Sequence, residues 1–388
     1  MIEMVGKYNT AKVYTNELDS ESQSQIVRMM NHPAFENQCV RIMPDVHAGK
    51  GSVVGFTSTL GDRIIPNVIG VDIGCGVTLG TISAKHSWQF DALDKVIRAH
   101  VPSGMSVRDS VHKDFKNSYS KIGRAYAEIA DDLEAICRKT GQNIDRVLKS
   151  IGTLGGGNHY IEVDDSGDGE KALSIHSGSR NFGLQIANYH QKKAIAFRET
   201  ADKELLEGFG KELSWLEDED AKEYLEDMKV AQKYAVLNRL VMSSVICKEM
   251  NWNISDENYV ESIHNYVDFD AGYIRKGAIS AQAGERVVIP ISMAEGIIFG
   301  IGKGNADWNN SAPHGAGRLY SRGKAKETLS MEEYKERMKG IWSSCVSTKT
   351  LDESPMAYKG MDYIVEQITD TVDIVKIMKP VYNFKAVD

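Results

Sequence analysis

The rhythm of apolar and polar positions changes several times along the chain, and each change predicts a different element. From Cys39 to Ile82, short β-branched stretches alternate with glycine-rich turns, as in MPDVHAGKGSVVGF and PNVIGVDIGCGVTLG. That texture predicts strands joined by tight loops. From about Trp88 to Lys149 the apolar residues recur with a period of about 3.6, which predicts helices. LGGGNHYIEV and ALSIHSGSRNFG then return to strand and loop. Between about Leu184 and Met250 the pattern is helical again, with an acidic middle that reads as a solvated excursion. Strand character resumes in SIHNYVDF, in Gly272 to Ser280 and in RVVIPISMAEGIIFGIGKG. Helical pattern is expected over Met331 to Ile341 and Met361 to Met378, and a last strand over VYNFKA. The fold class is therefore α+β, with glycine-dense strand ends gathering the polar residues. No internal repeat is visible.

Composition changes this picture little. Apolar residues at 42% and charged residues at 26% of 388 are ordinary for a chain that buries a large core. Nothing resembles a Pro-, Ser- or Gly-rich linker, so residues 1–388 are expected to form one large domain, with about 184–250 as a helical, acidic insertion. No run of about 18 apolar residues exists, nor a signal-peptide layout, so the expectation is no membrane and a cytoplasmic location. The five cysteines (Cys39, Cys75, Cys137, Cys247, Cys345) have no close pairs, which speaks against a disulfide framework or a four-thiolate zinc site. A net charge of −8 argues against chain-wide adhesion to nucleic acid, so any such site must be a local basic patch.

Candidate chemistry comes from the histidines. Of ten, four (His159, His176, His264, His314) sit in short stretches with glycine, serine or asparagine at strand ends, where chemistry is usually mounted. Near them in kind is VDIGCGV, whose Asp72 and Cys75 flank a glycine and can turn carboxylate and thiolate toward one point. One sulfur, one carboxylate and several imidazoles make a transition-metal shell; carboxylate and imidazole suit manganese or iron, and the thiolate also admits zinc. His32, His47, His86, His100, His112 and His190 are read as structural or surface residues, although free cysteines and single histidines are also commonly structural, as satisfied core groups.

Taken together, MPDVHAGKG, GVDIGCG, GGGNHYIEV, HSGSRNFG, HNYV, RKGAISAQAG and HGAGRLYSR resemble the RtcB family of RNA ligases in order and spacing, from about Arg41 to Arg322 and more weakly beyond. The resemblance implies an RtcB-like domain with mixed and antiparallel sheets around a central metal cleft. It further implies a two-manganese (Mn2+) site that uses GTP to join an RNA 2′,3′-cyclic phosphate or 3′-phosphate to a 5′-hydroxyl, in RNA repair or tRNA splicing. By match to the family, Asp72, Cys75 and His159 hold one metal and Cys75, His176 and His264 the other. His314 becomes guanylylated and Asp45 orients it. Asn158, Glu162, Ser292, Gly315 and Lys385 match nucleotide contacts; Arg180 and Arg322 resemble phosphate or RNA contacts. An archease-type activator is a further implied partner.

These roles are physically coherent. A histidine attacks phosphorus only through a neutral ring nitrogen, and a carboxylate on the other ring N–H fixes that tautomer. The glycines of GGGNH and HGAG would let backbone N–H groups approach phosphate oxygens. Two departures from the family's usual pattern concern the base: Ile291 stands where IPGSM has glycine, and Ile297 where a small polar guanine contact is expected. The chain also runs on past Lys385 through Ala386, Val387 and Asp388, which would bring a carboxylate near the base. A divergent paralogue with relaxed nucleotide preference, a two-metal phosphodiesterase and an RNA-end-binding protein are the competing readings; HGAGR favours the ligase, because hydrolysis needs no such nucleophile.

Overall fold

The structure is a computed structural model that describes residues 1–82, 88–201, 204 and 208–386. His86, Val387 and Asp388 lie outside the described residues, and so do the expectations attached to them. The chain opens with a hairpin, β1 (Ile2–Val5) and β2 (Thr10–Val13), and a helix, α1 (Ser20–Met30), whose first turn is capped by Asp19 accepting from the Ser22 backbone N–H. β3 (Val40–His47) and β4 (Val54–Thr59) follow, then the single turn α2 (Pro66–Ile69) and β5 (Gly76–Ile82).

The expected helical stretch becomes α3 (Phe90–His100), α4 (Lys121–Ala127), α5 (Ala130–Thr140) and α6 (Ile144–Ser150). A long irregular segment separates α3 from α4. The hairpin β6 (Tyr160–Asp165) and β7 (Lys171–Ser177) leads into two long helices, α7 (Arg180–Ala201) and α8 (Asp218–Met250). β8 (Tyr259–Ile263), β9 (Asn265–Asp268), β10 (Tyr273–Lys276), β11 (Ala278–Ser280), β12 (Arg286–Ser292), β13 (Gly296–Gly302) and β14 (Ser311–Pro313) come next. Short helices α9 (Arg322–Thr328), α10 (Met331–Arg337) and α11 (Met361–Gln367) precede β15 (Val372–Lys385).

The architecture is α+β. One sheet runs β1-β2-β3-β4-β10-β9 and another β12-β13-β15-β6-β7-β5-β8, with β11 and β14 forming a two-stranded ribbon. Among the strands of the described residues, only β2 and β3 pair in parallel. Among the described residues no helix is long and apolar enough to cross a membrane.

Two readings change. The helix expected over Met361 to Met378 stops at Gln367, and Val372 onward is a strand paired to both β13 and β6. Its exposed positions include Val375 and Ile377 among Asp373 and Lys379, so apolar residues on both faces blurred the period of two. The acidic middle of the second helical region is not an excursion but the start of α8. Glu219, Lys222 and Glu226 face solvent, while Tyr224, Met228, Ala231, Tyr234, Leu237 and Val241 are fully buried against Leu133 of α5 and Phe182 and Ile186 of α7. Each such burial contributes about 1.5–3 kcal/mol. Tyr234 also donates its hydroxyl to the Val147 carbonyl at 2.7 Å, so Tyr234→Ala should cost about 3–5 kcal/mol, the scale for aromatic-to-alanine changes in a core.

Candidate active site and metal centre

Because β6, β7, β5 and β8 are neighbours in one sheet, their ends bring together residues far apart in sequence. Cys75 precedes β5, His159 precedes β6, His176 lies opposite both Val77 and Tyr160, and His264 follows β8. Cys75 Sγ is 3.5 Å from His159 Nε2 and 3.3 Å from His176 Nε2. His159 Nε2 is 3.1 Å from Asp72 Oδ2, and the Nε2 atoms of His176 and His264 are 3.2 Å apart. Two sets of donors result, Asp72, Cys75 and His159, and Cys75, His176 and His264, which share the sulfur; within each set the donor atoms lie within 4.8 Å of one another.

Hydrogen bonds behind the rings decide which nitrogens face this point. His159 Nδ1–H donates to the Leu154 carbonyl at 2.8 Å and His176 Nδ1–H to the Asn158 carbonyl at 3.2 Å, so both Nε2 lone pairs point at the sulfur. Burial holds His176 and His264 well below the usual imidazole range, hence neutral. Burial, reinforced by Asp72, pushes the Cys75 thiol up. Burial also pushes Asp72 up, but the neighbouring His159 ring and the Arg180 guanidinium outweigh that and leave it below the usual carboxylate range. A buried group of lone pairs with few protons to share between them is a poor hydrogen-bond network and a fitting shell for divalent cations, beside which a thiol would be deprotonated.

His314 follows the β14 ribbon strand, its ring 4.7 Å from that of His264. Asp45, fully buried on β3, accepts from His314 Nδ1–H at 2.7 Å and from the His314 backbone N–H at 3.2 Å. This pairing leaves His314 Nε2 as a lone-pair nitrogen facing a cavity of about 620 Å³. Asn158, Glu162, Ser292, Gly315, Arg322 and Lys385 all line that cavity. Glu162 is pushed up to about 7, chiefly by burial, against the opposing effects of Asn383 and Lys385.

Arg180 is placed elsewhere. It opens α7 in the left-handed region (φ 57°), and its guanidinium bonds Thr153 Oγ1 and the Gly104 carbonyl. Arg322 is half exposed at the cavity mouth and ion-paired with Glu353 and Asp352 at 3.2 and 3.5 Å. The glycines of the GGGNH loop have a further steric reason. A Cβ at Gly155 would fall on the Arg180 guanidinium and the His159 ring, and one at Gly157 would sit 2.9 Å from Arg322 Nη2. Glycine there makes room for side chains that the loop must clear.

Ile291 lines the cavity, but Ile297 is fully buried with Val77 and Leu79 and cannot reach a bound base there. Sequence reasoning missed several cavity residues. Glu353 binds Lys385 at 3.1 Å and Arg318 at 3.0 Å and accepts from the Tyr358 hydroxyl. Burial pushes Glu353 up, yet Lys385, Arg322 and Arg318 hold it down at about 2. Arg318 belongs to HGAGR itself and could have been found there, whereas Glu353 ends a short 3-10 helix (Thr348–Glu353) and carried no signal. His47, read as structural, also lines the cavity, its Nδ1–H donating to the Asp45 carbonyl at 3.0 Å.

Comparison with known proteins shows the family. The sequence model of the family described as tRNA-splicing ligase RtcB matches residues 25–386. The chain is 30% identical to the RNA-splicing ligase RtcB of Escherichia coli K12 over 95% of each chain, and equally to the RNA-splicing ligase RtcB1 of a second Escherichia coli strain. It is 26% identical to the tRNA-splicing ligase RtcB of Nanoarchaeum equitans, over 87% of this chain and 85% of that one.

Proposed function

This chain belongs to the RtcB family, and from that premise we propose that it is an RNA ligase working through a nucleotide carried on His314. The observation that carries the reading is the His314–Asp45 pair beside two overlapping ligand sets. His314 Nε2 attacks the α-phosphorus of GTP, forming a P–N bond and releasing pyrophosphate. The RNA 3′-phosphate then attacks that phosphorus, freeing His314 and leaving guanylate on the RNA end. Finally the 5′-hydroxyl attacks the RNA phosphate, forming the phosphodiester and releasing GMP. A 2′,3′-cyclic phosphate is first opened by water.

Asp72, Cys75 and His159 would hold one manganese ion, and Cys75, His176 and His264 the other. Bound there, the ions would offset charge on the phosphates and steady attacking and leaving oxygens. The protein's own contribution is orientation. Asp45 keeps the Nδ1 proton in place so that Nε2 stays nucleophilic, and the buried floor of the cavity keeps water from the P–N bond. Asn158, Glu162, Ser292, Gly315 and Lys385, which line the cavity, would contact the nucleotide, and Arg322 at its mouth and Arg180 outside it would contact RNA phosphates. The substrates are RNA ends, in RNA repair or tRNA splicing within the cytoplasm, with an archease-type activator as a possible partner class.

Incubating the protein with manganese and α-labelled GTP, with ATP in parallel, tests this. Acid-labile, base-stable label on the wild type and none on His314→Ala is expected. A metal-loaded protein that takes no label from either nucleotide would move the reading to hydrolysis or RNA-end binding, and label on His314→Ala would remove His314 from its role. Label from ATP as well would indicate relaxed base preference, for which Ile291 is the cavity-lining departure.

A further inference from the structure

In the middle of α8, between the fully buried Leu237 and Val241, two polar side chains stand side by side and fully buried, Asn238 and Arg239. Burying an amide and a guanidinium is costly unless they are bonded, and replacing such groups by well-packed apolar residues is often neutral or stabilising. Stability alone therefore gives no reason for them. What their bonds hold gives one.

Arg239 Nη1 donates to the Gly74 carbonyl at 2.8 Å and to the Ser177 carbonyl at 2.7 Å, while Nε and Nη2 bind Glu261 on β8. Gly74 immediately precedes Cys75, Ser177 immediately follows His176, and β8 leads to His264. One guanidinium thus spans the three segments that supply Cys75, His176 and His264. Gly74 permits this approach. It sits at φ 72°, and a Cβ there would come within 2.8 Å of Ala235 Cβ on α8.

Asn238 serves the other set. Its Oδ1 accepts from the Gly152 and Thr153 N–H groups at 2.7 and 3.0 Å, and its Nδ2 donates to the Thr153 carbonyl, Ser177 Oγ and the Gly178 carbonyl, each at 3.1 Å. Ser177 Oγ in turn donates at 2.8 Å to the Leu154 carbonyl, the same oxygen that receives the His159 Nδ1–H. The Ser179 N–H, one residue beyond Gly178, donates to Asp72 Oδ1 at 3.1 Å.

We propose that Asn238 and Arg239 are positioning residues that set the spacing between the two ligand sets, acting through backbone without touching metal or substrate. The proposal rests on the cluster being a metal centre. Ligand distances must be right within about 0.2 Å for a metal site, and strand ends that slid independently would not hold that tolerance. Because Cys75 belongs to both sets, a shift of its loop relative to β7 disturbs both at once. Two adjacent side chains on one rigid helix prevent that shift.

The test is a titration of Arg239→Lys and Asn238→Asp with cobalt(II), following the thiolate-to-cobalt and d–d absorption, and with manganese(II), followed by electron paramagnetic resonance. Lysine keeps the charge but cannot span two carbonyls and Glu261 together; aspartate keeps the shape but loses the three Nδ2 donations. Both are expected to fold cooperatively and to bind metal about 10–100-fold more weakly, the usual effect of losing an outer-shell partner, with altered absorption bands. Folded variants with wild-type affinity and wild-type bands would overturn the proposal, even if their melting temperatures fell. Should either fail to fold, Ser177→Ala removes only the hydroxyl link between Asn238 and the Leu154 carbonyl, and Glu261→Gln only Arg239's charged partner. Unchanged metal binding in both would overturn it equally. Wild-type protein that takes up neither metal would instead break the underlying metal reading.

Discussion

The His314 ring adjoins both the cluster of Asp72, Cys75, His159, His176 and His264 and the cavity lined by Glu353 and Lys385. The two are built differently. The cluster's rings are set by backbone carbonyls, with Leu154 and Asn158 behind His159 and His176, so its geometry is inherited from strand pairing. The cavity is set by charges, with Glu353 drawing Lys385, Arg318 and Arg322 around one carboxylate. Removing a ligand should therefore destroy metal binding while leaving the fold. Removing the cavity's central charge should strain the fold itself, since two of the cations it leaves, Lys385 and Arg318, are buried or nearly so.

The sharpest break of this contrast is Cys75→Ala. Cys75 is the one residue in both ligand sets, so the variant should lose metal from both, with affinity down by more than about 100-fold, beyond the range for losing an outer-shell partner. Metal analysis after gel filtration checks this, and full occupancy would sink the shared-ligand assignment. Next in size is Asp45→Asn, which should slow self-labelling by GTP by about 100-fold or more, the scale of a positioned acid–base partner, while metal content stays normal. Rapid-quench labelling at saturating nucleotide separates it from a binding defect.

On the cavity side, Glu353→Gln should cost about 3–5 kcal/mol by denaturant unfolding, because it leaves Lys385 and Arg318 without their anion. The sign with pH follows from the depressed value of about 2 in the fold. The carboxylate's contribution is complete above its unfolded pKa of about 4.3 and is lost as the pH falls through the folded one. The stability gap between wild type and Glu353→Gln should thus shrink between about pH 4 and pH 2; a constant gap would mean that the charge is not what stabilises the cavity. The smallest effect is expected from Ile291→Gly, which should change the GTP-to-ATP preference by less than about tenfold, roughly one hydrogen bond's worth of energy. Parallel KM measurements with the two nucleotides would show it, and a larger change would make Ile291 the dominant selector.

Legibility followed the same division. The ligand-type residues sit in short words such as VDIGCGV and HSGSRNFG, where glycine beside histidine or cysteine marks a strand end, so the chemistry was readable locally. Glu353 was not, because an acid at the end of a short 3-10 helix acquires meaning only from Lys385 and Arg318 folding around it. Ile297 was misread for a related reason. It lies in the same hairpin as the cavity residue Ile291, but its side chain is buried beneath the sheet with Val77 and Leu79. A strand's two faces differ by one residue, and the sequence alone did not say which face met the nucleotide side.

The last strand shows the limit on the fold. Val372 to Met378 carries apolar residues at successive positions, compatible with a buried helix as well as with a strand whose exposed face is partly apolar. Pairing of this stretch with β13, continued by pairing of Lys379 to Lys385 with β6, decided it.

By itself, the amino-acid order determined the α+β class, the strand-end motifs and the set of imidazole, thiolate and carboxylate groups, because these depend on local period, glycine placement and donor chemistry. Tertiary structure decided how closely the two ligand sets meet around Cys75, that α8 is a central helix and not an excursion, and that Arg239 spans three strand ends. Those facts depend on which segments meet in space, and long-range packing energy fixes that outcome where local preference leaves it open.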